Sequence, residues 1–282
     1  MTACRVERVI AQAPNMPALF DLRLRALRRD RAARGGGELF LHERAFADCL
    51  ERVVMMGRRF ANALLVGCPD PGWPKRLAKV ADRVAVVDPG PLFAAAAGGT
   101  TVIEDRIAPK ANAFDLILAV GTLDTIDDLP AALAALAASL KPDGLMIGAM
   151  SGGDTLPQLR AAMRAADRPS GNAQPHVHPR IEPSALVNLL GNAGLERPVV
   201  DIDRVRVAYA SFAKLVGDLR IMAASNLLNE RPRRSLSRRA YAAAVAAFER
   251  PGGEGKTVEI FEILHFAGWK GEAARANPPK RR

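Results

Sequence analysis

Between about residue 60 and residue 150, short apolar runs alternate with stretches of helical spacing. Residues 63–66 form the first run, and a Gly/Pro turn leads from it into a helix-like segment over 75–81. A second run at 84–87 ends on Asp88-Pro89-Gly90, a short helix is expected at 92–97, and a third run covers 100–103. Residues 114–120 are nearly all apolar, as in a strand buried on both faces. Asp127-Asp128-Leu129-Pro130 reads as the cap of a helix whose Leu133, Leu136 and Leu140 recur every three or four residues. Lys141-Pro142-Asp143-Gly144 reads as a turn, with a strand over 145–150. Repeated strand–helix alternation predicts an open, mostly parallel sheet with helices on both faces.

The flanks read differently. Residues 17–34 and 39–59 have helical spacing, with a Gly35-Gly36-Gly37 break between them, and both precede the first strand. They are expected to pack as an N-terminal helical cap over residues 1–60, with leucines 19, 22, 24 and 27 set among arginines. One domain is expected over 61–270, its C-terminal half extended from about residue 151. That half holds helices at 154–166, 183–193, 212–222 and 236–248, and strands at 199–203, 205–209 and 257–269. Asp154 stands where a cap would start the first of these helices. Residues 168–180 read as a loop, and 271–282 as a disordered basic tail.

Composition narrows the picture. The chain has 282 residues, 49% of them hydrophobic and only 5% aromatic, so its core is expected to pack leucine, valine and alanine. No apolar run is long enough to cross a bilayer, and the first residues lack the apolar stretch of a secretory signal. A cytoplasmic protein is expected, with at most peripheral contact with the inner membrane. Three cysteines without metal-like spacing predict neither a disulfide framework nor a metal centre. The net charge of +10 is arginine-rich and clusters at 23–34, 231–239 and 280–282. No aromatic residues interleave with these runs, so nucleic acid is not an expected partner. They read as solvated faces, with an acidic protein or an anionic membrane as the functional alternative.

Candidate chemistry lies at the strand ends. Gly67, Cys68 and Gly72 stand in the first strand–helix turn, where backbone N–H groups cradle a ligand in nucleotide-binding folds. Pro69 and Pro71 each remove one such donor. Cys68 has the simpler reading of a small residue closing a buried strand. Asp88 ends the second strand, where a carboxylate can accept both hydroxyls of a ribose; Asp-Pro-Gly is equally an ordinary turn. Glu104 and Asp105 follow the third strand and read as a solvated pair or as neighbours of a base, and Gly121 follows the fourth. Gly152, Gly153, Asp154 and Thr155 follow the fifth, at the sheet end where such folds place ligands. His176 and His178 are spaced as a metal pair, but no third ligand accompanies them. Tyr209, His265 and Trp269 read as core or rim residues.

In this order the motifs resemble class I S-adenosylmethionine (SAM) methyltransferases. More narrowly, Phe20-Asp21, the block from Gly148 to Leu156, Pro175-His176-Val177-His178-Pro179 and Val200-Asp201-Ile202-Asp203 resemble one family. Asp218-Leu219-Arg220, Ser225-Asn226 and Gly268-Trp269-Lys270 extend the likeness. That family comprises the methyltransferase-like assembly factors of NADH:quinone oxidoreductase (complex I) and their bacterial relatives. The resemblance covers about residues 17–270 and implies a Rossmann-like α/β fold. It implies SAM held by Gly67, Cys68, Gly72, Asp88, Glu104, Asp105 and Gly121, and a protein substrate met at 152–155. That substrate is expected to be a complex I subunit, modified by methyl transfer or at an arginine. Two motifs depart from the family pattern: in the first loop Leu65 replaces an acid and only Gly67 and Cys68 fit its Gly-Cys-Gly-x-Gly core, and after the fourth strand Leu123-Asp124-Thr125 replaces Leu-His-Trp. A binding protein that has lost SAM is therefore the second reading, and a small-molecule O-methyltransferase the third.

Overall fold

The computed structural model describes residues 18–107, 110–249 and 255–271. The basic tail expected at 271–282 lies, from 272 onward, outside the described residues. Two helices, α1 (Leu22–Gly35) and α2 (Phe40–Met55), come first. β1 (Phe60–Val66), α3 (Trp73–Leu77), β2 (Ala81–Asp88), α4 (Pro91–Ala96) and β3 (Thr100–Thr101) follow. Next are β4 (Phe114–Val120), α5 (Leu129–Ser139), β5 (Leu140–Ser151), α6 (Pro157–Asp167) and α7 (Pro183–Asn192). The chain continues through β6 (Leu195–Tyr209), α8 (Phe212–Ile221), α9 (Arg238–Phe248) and β7 (Thr257–Lys270).

One sheet of seven strands runs in the order β3-β2-β1-β4-β5-β7-β6. The first five strands are parallel, and β7 pairs antiparallel with both β5 and β6. The strand order reverses direction between β1 and β4, so their carboxyl ends frame the crevice where open α/β sheets bind ligands. Side chains along the central strands alternate between two cores. Leu64, Val66, Ile117 and Ala119 face α5 and α7, while Leu65, Leu116 and Leu118 face α2 and α3. The Phe46 and Trp73 rings stack with centroids 4.2 Å apart and join α2 to α3. A third apolar cluster, with Leu159, Leu215 and Phe248, fastens α6, α8 and α9 against Tyr209 and Phe261 at the far end of the β6–β7 pair.

Several boundaries differ from the sequence-based expectations, each for a local reason. Lys141–Gly144 is a bulge inside β5, because the pairing jumps from Phe114↔Leu140 to Leu116↔Leu145 and Asp143 adopts φ 59°. The two strands expected at 199–209 are one, since antiparallel pairing with β7 continues through Arg204. Asp154 does not cap α6. Pro157 sets the first helical position, so the cap residue is Leu156, and the Glu259 carboxylate accepts from the Gln158 and Leu159 N–H groups at 3.1 and 2.8 Å. The helix expected over 17–34 starts at Leu22, and its Leu22 and Leu24 pack half-buried against Phe20, Leu227 and Leu228. Its buried residues are Arg25, Arg29 and Ala32, while Leu27 is 46% exposed.

Candidate functional site

The buried arginines of α1 end on the two acids at the strand termini. Asp88 is fully buried at the end of β2. Arg29 Nε donates to its Oδ1 at 2.8 Å and Nη2 to its Oδ2 at 2.6 Å. The Gly90 and Cys68 N–H groups donate to the same two oxygens, each at 2.7 Å. Each carboxylate oxygen therefore already accepts from one guanidinium N–H and one backbone N–H. Burial opposes the Arg29 charge, but Asp88 more than offsets it and raises the guanidinium above its ordinary value.

A second pair lies one helical turn away. Arg25 Nη1 and Nη2 donate to Glu104 Oε2 and Oε1 at 2.8 and 2.9 Å, and Nη2 also reaches the Thr122 carbonyl at 2.7 Å. Glu104 has no exposed surface, so the expectation of a solvated pair is corrected. Only Asp105 sits outside this arrangement, accepting from the Asp128 N–H at 3.2 Å, and burial raises its carboxyl. Positions 25 and 29 share a helix face by their four-residue spacing. α1 thus clasps the ends of β2 and β3 with two bidentate ion pairs.

The turn after β1 is closed by packing. Gly67 has φ 81°, and a Cβ there would lie 2.3 Å from the Val120 carbonyl oxygen. Its N–H donates to the Val87 carbonyl. Cys68 is buried, its Sγ–H donates to the Asp70 carbonyl at 3.2 Å, and burial pushes the thiol up to about 12. Gly72 precedes α3, with its N–H on Asp70 Oδ1. At Gly121, φ 69°, a Cβ would lie 2.3 Å from the His42 ring, so α2 covers the end of β4 closely.

Behind the clasp lies a cavity of about 90 Å³. Arg25 and Arg29 form one wall, and Leu41, His42, Asp124, Ser151 and Leu219 are among the others. Asp124 accepts from Arg180 Nη1 at 2.6 Å. Burial would raise its carboxyl, but Arg180 and the neighbouring hydroxyl and histidines overcome this and hold it low. Burial lowers His42 to about 4, with Arg29 adding to the effect. Burial and Arg180 together lower His178 to about 3. His178 Nε2 accepts from the Leu227 N–H at 2.7 Å, so its neutral ring carries the proton on Nδ1.

The 152–155 turn is pinned to β7. Thr155 Oγ1 donates to the Glu262 carbonyl and accepts from the Glu262 N–H, both at 3.0 Å. A Cβ on Gly152 or Gly153 would meet the Glu262 or Glu182 carboxylate. Asp154 points outward to Arg204, at 2.8 Å. Of these four residues only Thr155 lines the cavity. The two histidines of the 176–178 pair are engaged separately, with His176 Nε2 on Asp167 Oδ1 at 2.8 Å. The partners missed from sequence are Arg25, Arg29, His42, Arg180 and Glu262. Only the two arginines of α1 left a sequence signal, the four-residue spacing that puts Arg25 and Arg29 on one helix face; His42, Arg180 and Glu262 left none.

The fold and the acids at its strand ends define a protein of the class I methyltransferase type. A family model described as a methyltransferase domain matches residues 36–199. The YcgJ protein of Bacillus subtilis superposes with a TM-score of 0.55 at 12% identity, covering 80% of this chain and all of that one. Within this class, the chain belongs to the family of NDUFAF5. It is 34% identical over 253 residues to the mitochondrial arginine-hydroxylase NDUFAF5 of Danio rerio, covering 86% of this chain and 78% of that protein. The Mus musculus protein of the same name is 35% identical over 181 residues, which are 63% of this chain and 52% of the relative. The chain thus aligns with about half the length of that mammalian relative.

SAM does not fit the residues as they stand. A ribose needs free acceptors on Asp88, and both of its oxygens are taken. Pockets for drug-sized ligands run to roughly 300–1,000 Å³, well above the space behind the clasp. A larger groove of about 700 Å³ opens beside Gly36, Pro69 and Phe93, but neither Asp88 nor Glu104 lines it.

Proposed function

We propose that this chain is a methyltransferase-like binding protein that serves complex I assembly through a protein partner, with its cofactor acids held by its own arginines. The observation that carries this reading is the saturated Asp88 carboxylate, which accepts from Arg29, Gly90 and Cys68. The two prolines in the turn after β1 support it by removing N–H donors. The likeness to NDUFAF5 supports a protein rather than a small molecule as the partner, and a complex I subunit is the candidate to test first.

The SAM-dependent reading keeps one observation on its side: acids still stand at the end of β2 and in the turn just after β3. Opening the clasp would expose both. Isothermal titration of the purified chain with SAM and with S-adenosylhomocysteine separates the two readings. No saturable heat and no thermal shift at millimolar ligand is the expected result. Micromolar binding lost in Asp88→Ala would overturn it in favour of SAM-dependent modification, either methyl transfer or a change at an arginine.

A further inference from the structure

The outer face of α1 is as specific in composition as its inner one. Arg23, Leu27 and Arg31 follow one another at four-residue spacing, and all three are exposed. At 1.5 Å rise per residue they make a stripe about 12 Å long. Further cations flank it. Arg28 Nη1 donates to the Asn226 carbonyl, Arg231 reaches Asp21 at 3.0 Å, and Arg233 lies 3.8 Å from the same carboxylate. Arg220 projects from the last turn of α8, whose Ile221 packs against Gly37. Arg28 is half-buried among Arg231, Arg31 and Arg220, and burial together with these charges lowers it to about 10. Like charges crowded in this way repel one another, and an anionic partner relieves the repulsion.

We propose that the Arg23–Leu27–Arg31 stripe, with the exposed Arg220 and Arg233, is a docking surface for an acidic segment of a protein partner.

Three features select this occupant. Arginine presents a rigid fork that matches carboxylates two bonds at a time. The buried pairs to Asp88 and Glu104 fix α1 in place, so the stripe is a preorganised platform. An interfacial membrane helix needs a broad apolar face. The outer surface of α1 offers one exposed leucine, Leu27, with Leu19 just ahead of the helix. Neither flanking segment is acidic: residues 1–17 carry one glutamate against two arginines, and 272–282 carry one against four cations.

The test is fluorescence anisotropy of a labelled acidic helical peptide of glutamate, leucine and alanine, titrated with the full chain. The arginine stripe is reversed as Arg23→Glu/Arg31→Glu. A control with the same net charge reverses exposed cations elsewhere, Lys75→Glu/Arg83→Glu, and circular dichroism verifies that both fold. The stripe variant is expected to weaken binding at least about tenfold, and the control no more than about twofold. Added salt should weaken the wild type steeply and the stripe variant little. Equal losses in both variants would show a diffuse field and overturn the proposal. Binding to phosphatidylglycerol vesicles without binding to the peptide would overturn it in favour of a membrane.

Discussion

Asp88 and Arg29 stand 59 positions apart in the chain, and each accounts for the other's burial. A carboxylate with no exposed surface needs a counter-charge, and a buried guanidinium needs acceptors. Removing one member alone strands the other, so Arg29→Ala is expected to lower unfolding free energy by about 3–5 kcal/mol. Arg29→Met combined with Asp88→Asn should recover much of that loss, because no unpaired charge remains. Urea denaturation of Arg29→Met, Asp88→Asn and their combination, alongside Arg29→Ala, measures both effects, and additive losses in the two singles would contradict a direct pair. The acid was legible from sequence, since a strand ending in Asp-Pro-Gly marks its place. Its partner was not. An arginine in a basic helix reads as solvated, and only the tertiary fold brings it to the strand end.

At the scale of elements, the strand-and-helix alternation from β1 to β5 was legible because apolar runs buried on both faces leave a continuous signal. Departures fell where long-range contacts decide. β7 carries Glu259, whose carboxylate performs the capping that local sequence had given to Asp154. α1 presents Arg25 and Arg29 inward because two acids wait there, while its Leu22 and Leu24 pack half-buried against Phe20, Leu227 and Leu228. The glycines after β1 and β4 were read as cofactor glycines, but their close neighbours are the Val120 carbonyl and the His42 ring. Gly67→Ala is expected to cost about 3 kcal/mol, combining a left-handed backbone with a clash against the Val120 carbonyl. Gly36→Ala, at φ 59° with open space around it, should cost only about 1 kcal/mol. Thermal or urea unfolding of the pair checks the difference.

For the whole molecule, the cavity histidines predict acid sensitivity. Ordinary histidine titrates near 6.5, and burial holds His42 at about 4 and His178 at about 3. The unfolded chain therefore takes up two protons, below pH 6.5, that the folded chain refuses until near pH 4 and pH 3. Stability from these groups is fully present above that window and falls as pH drops through it, by up to about 2.7 kcal/mol per pH unit. His42→Gln should remove about one proton from this slope. Stability curves between pH 7 and 4 test the sign; an unchanged slope would place His42 in water.

The proposed function rests on the clasp, where Arg29 holds Asp88 and Arg25 holds Glu104. A crystal structure of the chain grown with millimolar S-adenosylhomocysteine tests that claim most directly. The expected result is Arg29 on Asp88 and Arg25 on Glu104, with no nucleoside between them. Ribose hydroxyls on Asp88, with α1 displaced, would contradict it.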